Sequence, residues 1–158
     1  MENKDTIYNE IFKNFQSLLT SKHPLKPITI YSNLVIIIKK VLTKASWVGF
    51  YFINETKDGV DLGPYSGDLA CNYIDINRGV CGQAARLKKT IIVENVKDVP
   101  FHIACDALSQ SEIVVPLIIN KEVIALLDID SHEASAFDKQ DQNYLEKILL
   151  EFEKYLTK

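Results

Sequence analysis

Two runs of β-branched and aliphatic residues, separated by a short polar turn, constrain the fold more than any other part of the chain. The runs are SEIVVPLIIN and EVIALLDIDS, and the turn between them is centred on Asn120 and Lys121. Apolar runs of this length, joined by a tight turn, predict a β-hairpin. Because the two strands of a hairpin are antiparallel, we expect an antiparallel sheet at the centre of the protein.

Periodicity predicts how the rest of the chain surrounds this sheet. The pattern of residues 1–45 predicts two helices. The second of them, ITIYSNLVIIIKKVLTKA, is also rich in β-branched residues, as a strand would be. Because it runs into the polar KKVLTKA, it is interpreted as a helix. Residues 46–131 hold short strands separated by turns, with a short helix over VCGQAARLKK, and residues 138–158 form an amphipathic helix that begins after the N-cap Asp138. The prediction is a single α+β domain over 1–158, with helices packed on one face of an antiparallel sheet.

Composition excludes several classes of function. The 158 residues are 47% hydrophobic and 25% charged, as in an ordinary globular domain with its own core. The net charge of −3 is spread without a basic stripe, which argues against a nucleic acid partner. No apolar run approaches the roughly twenty residues that cross a bilayer, and the N-terminus has no signal-peptide pattern, so we expect a cytoplasmic protein without membrane contact.

The spacing and number of the three cysteines fit neither a structural zinc site nor a framework of structural disulfides. Their spacing is C-x9-C-x23-C, whereas structural zinc ligands usually come in pairs two to four residues apart. Cys71 lies in a strand-like stretch, where a small buried hydrophobe is an equally good interpretation. Cys81 lies at the start of the predicted short helix, whose dipole would favour the thiolate. Cys105 lies in a polar loop, and loops often carry chemistry. The pattern indicates redox-capable thiols.

Acidic residues form a second candidate group. Asp128 and Asp130 interrupt an apolar strand, and alternation along a strand places both on one face. Glu112 opens the neighbouring strand of the same hairpin, so the three carboxylates should converge at one end of the sheet. Such a cluster binds a cation, shares a proton or faces water. Trp47 and Tyr51 also share one strand face, and aromatic pairs of this kind are usually core.

These residues together resemble the free methionine-(R)-sulfoxide reductases, which are built on a GAF-domain fold. The resemblance covers the chain from about Trp47 onward and includes all three cysteines and the three acidic residues. It rests on these segments: WVGFY, LGPYSG, ACNYIDINRGVCGQAA, HIACDALSQSEIVVPL, VIALLDIDS and FDKQD.

The resemblance implies a thiol reductase that converts the R epimer of free methionine sulfoxide to methionine and so repairs oxidative damage. Cys105 would be the nucleophile, with Cys81 as the first candidate for the resolving thiol and Cys71 as the second.

The same resemblance implies roles for the other groups. The carboxylates Glu112, Asp128 and Asp130 would hold the substrate ammonium and supply a proton, while Trp47 and Tyr51 would form a wall for the S-methyl end. No metal or bound cofactor is expected, and the external reductant would be a dithiol protein such as thioredoxin. A homodimer is left open. Two alternatives are a non-catalytic GAF ligand-binding module and a thiol redox sensor.

Overall fold

The computed structural model describes residues 3–100 and 106–158. In chain order the helices and strands, leaving aside one turn of 3₁₀ helix at Val96–Asp98, are α1 Lys4–Leu19, α2 Pro27–Val41, β1 Trp47–Ile53, β2 Gly59–Ser66, β3 Tyr73–Asp75, α3 Gly79–Leu87, β4 Ile91–Val93, β5 Ser111–Ile119, β6 Glu122–Ser131 and α4 Lys139–Leu156. None of the helices in these two ranges combines the length and the apolar character that a bilayer crossing requires.

The strands form one antiparallel sheet in the order β3-β2-β1-β6-β5-β4. The neighbouring strands β5 and β6 form the predicted hairpin, and its turn residues Asn120 and Lys121 have φ values of 51° and 67°. Positive φ at both central positions gives a turn whose twist matches that of the flanking strands. The α+β class and the antiparallel sheet are therefore confirmed.

The two faces of the sheet carry different layers. On one face, α1, α2 and α4 pack on strand residues such as Val48 and Phe50, which gives the larger part of the core. On the other face, α3 packs on Trp47, Tyr51 and their neighbours in a smaller apolar cluster. Helices on one face were predicted, and three of the four helices follow that prediction. The short helix α3 covers the opposite face, because the cluster around Trp47 also has to be shielded from water.

The start of α4 is fixed by a capping box and by a buried carboxylate. The Asp138 side chain accepts hydrogen bonds from the first turn, as predicted, and the Asp141 side chain accepts the Asp138 amide in return. Asp141 is fully buried and accepts hydrogen bonds from Tyr8 Oη at 2.7 Å, Lys4 Nζ at 2.7 Å and Lys44 Nζ at 2.8 Å. One carboxylate thus joins α1, the α2–β1 connection and α4.

Candidate active site

A pocket lies on the face of the sheet that α3 covers. Its floor is formed by β1, β5 and β6, and its sides by the first turn of α3 and by the segments that follow β2 and precede β5. The described residues that line it are Trp47, Tyr51, Leu69, Ala70, Ile74, Gly79, Val80, Cys81, Asp106, Ser109, Glu112, Asp128 and Asp130. They include every predicted site residue of the described ranges except Cys71.

Strand register brings the three predicted carboxylates together on the pocket floor. Glu112 on β5 lies directly opposite Asp130 on β6, and Asp130 lies directly opposite Trp47 on β1. Asp128 lies two residues before Asp130 on β6 and on the same face of the sheet, as the two-residue alternation predicts. Glu112 and Asp128 are each 6% exposed, so both carboxyl groups are removed from bulk water.

Burial and mutual repulsion hold protons on this cluster. Burial, followed by the charge of Asp130, raises the pKa of Glu112 to about 8. Burial and the charge of Glu112 raise the pKa of Asp128 well above its usual value, and burial with the charge of Asp128 does the same for the pKa of Asp130. The pocket therefore presents neutral carboxylic acid at neutral pH, which can donate as well as accept hydrogen bonds.

Ser109 and Cys81 donate hydrogen bonds to two of the carboxylates, and one carboxylate oxygen of Asp128 has no partner among the described residues. Ser109 Oγ donates to Asp130 Oδ1 at 3.0 Å, and Cys81 Sγ donates to Asp128 Oδ2 at 3.5 Å. Asp128 Oδ1 is buried and has no hydrogen-bond partner among the described residues. A buried polar atom without a protein partner is costly unless a ligand or an ordered water binds it.

Cys81 occupies the predicted position in the first turn of α3, but its predicted acidity is wrong. The helix dipole favours the thiolate, yet the thiol is 2% exposed and faces acidic groups. Burial, followed by the charges of Asp128 and Glu112, raises the pKa of Cys81 well above its usual value. Desolvation by the pocket outweighs the dipole, which acts only over the first turn of the helix.

Aromatic rings form one wall of the pocket. The Trp47 indole stacks on Tyr51 with ring centroids 6.0 Å apart and on Tyr65 at 5.5 Å. Trp47 Nε1 donates to the Asp68 carbonyl at 3.1 Å, and Tyr51 Oη donates to the Cys71 carbonyl at 2.9 Å. The polar atoms of Trp47 and Tyr51 are thus hydrogen-bonded within the protein, and the apolar ring faces remain for packing or for a ligand.

Gly49 makes room for this wall. A Cβ atom at Gly49 would lie 2.3 Å from the Trp47 ring and 2.6 Å from Tyr65 Cβ. The Trp47 ring therefore lies across the backbone of its own strand, directly beside the position of Asp128 on β6. Glycine within an aromatic strand is the local signal of such a close approach.

The remaining two cysteines differ in what the structure shows of them. Cys71 is half-buried and disulfide-bonded, whereas Cys81 is a free thiol. Cys105, the predicted nucleophile, lies outside the described residues. The residue after it, Asp106, lines the pocket, and its carboxylate contacts His132 Nε2 at 2.9 Å.

The sequence did not predict two residues that contact the predicted site residues directly. Ser109 is buried and donates to Asp130, but a serine in the polar stretch DALSQSE carries no signal that distinguishes it from a turn residue. Tyr65 stacks on Trp47, and its place follows from the β1–β2 register, in which it lies opposite Gly49.

The donor atoms of Cys81, Glu112 and Asp128 lie within 4.8 Å of one another, a spacing that a divalent cation could bridge. A metal ligand must be deprotonated, whereas the pKa of each of these three groups is raised. The cluster is therefore better suited to hydrogen bonding and proton transfer than to holding a metal.

Known proteins similar to this chain identify the family to which it belongs. Residues 29–149 match the family model of the GAF domain. The chain is 34% identical over 155 residues to a free methionine-R-sulfoxide reductase of Escherichia coli, and the match covers 98% of this chain and 92% of that protein.

Solved structures agree with this assignment. The free methionine-R-sulfoxide reductase of Neisseria meningitidis in complex with its substrate superposes with a TM-score of 0.92 at 35% identity, covering 99% of this chain and 92% of that one. The reduced form of the Staphylococcus aureus protein gives a TM-score of 0.87 at 39% identity, covering 94% of each chain.

Proposed function

Because the chain belongs to the free methionine-R-sulfoxide reductase family of GAF-domain enzymes, we propose that it reduces the R epimer of free methionine sulfoxide to methionine with its own thiols. The observation that carries the proposal is the joint placement of a buried carboxylate trio and an aromatic wall in one pocket. Neither the ligand-binding module nor the thiol sensor requires both.

The carboxylates account for the preference for a free amino acid. The ammonium group of methionine sulfoxide would take the place of a proton in the trio and donate to Asp128 Oδ1, which has no partner within the described ranges. Hydrogen bonds between charged groups are the strong ones, and desolvation strengthens them further. A methionine sulfoxide inside a peptide has no such ammonium group and would leave the trio without a counter-charge.

The aromatic wall would receive the sulfur end. The stacked faces of Trp47 and Tyr51 are apolar and run along the pocket beside the trio. They would pack against the S-methyl group, so that the sulfoxide oxygen is directed toward the carboxyl groups.

A carboxyl group that keeps its proton at neutral pH supplies the acid. The raised pKa of Glu112, about 8, makes it a donor under the conditions in which the enzyme works. Its proton would stabilise the negative charge that develops on the sulfoxide oxygen as the sulfur–oxygen bond breaks.

The redox cycle then requires two thiols and one external dithiol. The Cys105 thiolate attacks the sulfoxide sulfur, the oxygen passes to Cys105 as a sulfenic acid, and methionine leaves. The second thiol attacks the sulfenic sulfur, a disulfide forms and water leaves. An external dithiol, such as that of a thioredoxin, reduces the disulfide by exchange. The electrons come from thiols throughout, so no bound cofactor takes part.

Cys71 is the better candidate for the second thiol. It is half-buried and already disulfide-bonded, whereas Cys81 is buried beside Asp128 with a raised pKa. Attack requires a thiolate with access to the sulfenic sulfur, and both conditions disfavour Cys81. We therefore reverse the order given by the resemblance.

The test is turnover of free methionine-(R)-sulfoxide with a dithiol reductant, followed as methionine release. We expect turnover by the wild type, none by Cys105→Ser, and none with the S epimer. Peptide-bound methionine sulfoxide serves as the matched substrate control and should not react. Absence of turnover by the wild type would refute the proposed reaction, and equal turnover by Cys105→Ser would refute the nucleophile.

A further inference from the structure

We propose that His132 is a positioning residue: it ties Asp106 to the end of β6 and so holds the turn at 106–109, which follows the proposed nucleophile directly in the chain. The proposal rests on the proposed function, and the family resemblance gave no role to either residue. It is carried by one side-chain contact and by the hydrogen bonds of the turn that this contact fastens.

The contact between His132 and Asp106 joins the end of a central strand to the wall of the pocket. His132 comes directly after β6, and its Nε2 lies 2.9 Å from Asp106 Oδ2. Burial raises the pKa of Asp106, but the hydrogen bonds from His132 and from the Leu108 amide together lower it. An ionised carboxylate only accepts hydrogen bonds, so the hydrogen of this contact is carried by His132 Nε2.

Asp106 is also the residue on which the turn is built. Its Oδ1 accepts the Leu108 amide at 2.9 Å, and its backbone carbonyl accepts the Ser109 amide at 3.2 Å. Asp side chains that bond the backbone two residues on stabilise turns of this kind. A single carboxylate therefore shapes the turn with one oxygen and contacts His132 with the other.

The far end of the turn is fastened to the same strand. Ser109 Oγ donates to Asp130 Oδ1 at 3.0 Å, and the Gln110 amide donates to the Ser131 carbonyl at 2.8 Å. With His132 at the near end, the turn is tied to β6 at both ends. Loss of the His132 contact would leave the near end, which adjoins the nucleophile, free to shift while the far end stays in place.

The near end matters for the chemical step more than for binding. Cys105 immediately precedes Asp106 in the sequence, and misplacing a reacting group by about 1 Å can cost about 100-fold in rate. The charge of Asp106 also helps to raise the pKa of Asp130, after burial and the charge of Asp128. We therefore expect His132 to act on kcat, through the place of Asp106.

The experiment compares His132→Leu, which removes the donor, with His132→Gln, which keeps a side-chain N–H. We expect kcat of His132→Leu to fall about five- to tenfold with KM within about twofold, and His132→Gln to stay within about twofold of the wild type. The urea midpoint of His132→Leu should stay close to that of the wild type, because exposed ion pairs contribute little to stability. His23→Leu, at an exposed histidine between α1 and α2, is the control and should leave kcat unchanged.

A double-mutant cycle tests whether His132 acts through Asp106. Asp106→Ala removes both the contact and the cap of the turn, so its own loss should be the larger one. Adding His132→Leu to Asp106→Ala should cost less than about twofold further. An equal loss in both backgrounds would overturn the proposal, and so would wild-type kcat in His132→Leu or an equal loss in His132→Gln.

Hydrogen exchange keeps the two proposals distinguishable, because it needs no turnover. The amides of Leu108 and Ser109 should exchange faster in His132→Leu than in the wild type, and at the wild-type rate in His132→Gln. If the wild type lacks turnover, the proposed function fails, and these two amides decide the role of His132 in holding the turn alone. Equal exchange in all three forms would overturn that role.

Discussion

Glu112 and Asp130 lie directly opposite each other on β5 and β6, on the face of the sheet that forms the pocket floor. Like charges in directly opposed positions destabilise a sheet, so the pair persists because at least one group is neutral or is countered by a ligand. Under the proposed function, the same relationship that weakens the sheet would supply an acid and a site for the substrate ammonium within one pocket.

Replacing Glu112 with Gln should abolish most of the activity while leaving the fold intact. The amide keeps the shape but lacks the proton that the sulfoxide oxygen would receive, and general acid catalysis contributes roughly 10²- to 10⁴-fold. We expect kcat/KM to fall by about 100-fold or more. The exposed Glu94 provides a control, since Glu94→Gln should leave kcat/KM unchanged.

Stability should fall as the pH rises through neutrality. The pKa of Glu112 rises from 4.5 to about 8 in the folded protein, so the folded state binds this proton more tightly than the unfolded state. The resulting stabilisation is fully present below pH 4.5 and is lost as the pH rises through about 8. Asp128 and Asp130 act in the same direction.

Thermal unfolding followed between about pH 5 and pH 8 should therefore show a falling Tm in the absence of ligand. Glu112→Gln should have a flatter profile over this window because the titrating group is gone. A wild-type Tm that rises steadily across the window would contradict the protonated cluster.

The single tryptophan gives a direct signal of ligand binding. Trp47 lines the pocket and is the only tryptophan in the chain. Binding of free methionine should change its fluorescence in a saturable way, because the ligand would bring charged groups into the pocket that the indole lines. N-acetylmethionine, which lacks the ammonium group, is the matched control and should give no saturable change.

Introducing a methyl group at Gly49 should displace the aromatic wall. In Gly49→Ala the new Cβ would overlap the Trp47 ring and Tyr65 Cβ, and overpacking of this kind costs roughly 1–3 kcal/mol. We expect a lower free energy of unfolding and a higher KM. Unfolding in urea and the near-ultraviolet dichroism of Trp47 measure both effects, and an unchanged spectrum would contradict the close approach.

The buried carboxylate of α4 should matter for stability and not for chemistry. Asp141→Asn leaves Lys4 and Lys44 without their buried partner, and breaking a buried ion pair costs about 3–5 kcal/mol. The surface pair Glu151–Lys154 supplies the comparison, since Glu151→Gln should cost less than about 1 kcal/mol. Folded Asp141→Asn should retain the KM of the wild type.

Local patterns in the sequence were sufficient for the fold and for the convergence of the acidic trio. Alternation puts Asp128 and Asp130 on one face, and a two-residue turn sets the register that brings Glu112 opposite. The same reasoning could not tell the Trp47 wall from ordinary core, because both faces of this sheet are covered and aromatic residues fill either one.

Features that depend on burial could not be predicted from the sequence. The acidity of Cys81 was predicted from its place in a helix, whereas its pKa is governed by desolvation and by carboxylates on another element. Ser109 and Tyr65 contact site residues that are distant in sequence, Asp130 and Trp47 respectively. Three-dimensional neighbours of this kind leave no local periodic signal.

The hydrogen bond from Tyr51 Oη to the Cys71 carbonyl gives Tyr51 two roles, one in the proposed substrate site and one in holding the backbone of Cys71. The ring that would contact the sulfoxide methyl group also holds the backbone of the thiol that we propose closes the disulfide. Enlarging the pocket for bulkier sulfoxides by shortening Tyr51 would loosen that backbone as well. We therefore expect substitutions of Leu69 to be the better way to widen the substrate range. Leu69 lies at the pocket rim, is 86% exposed, and its side chain does not hold the backbone of Cys71.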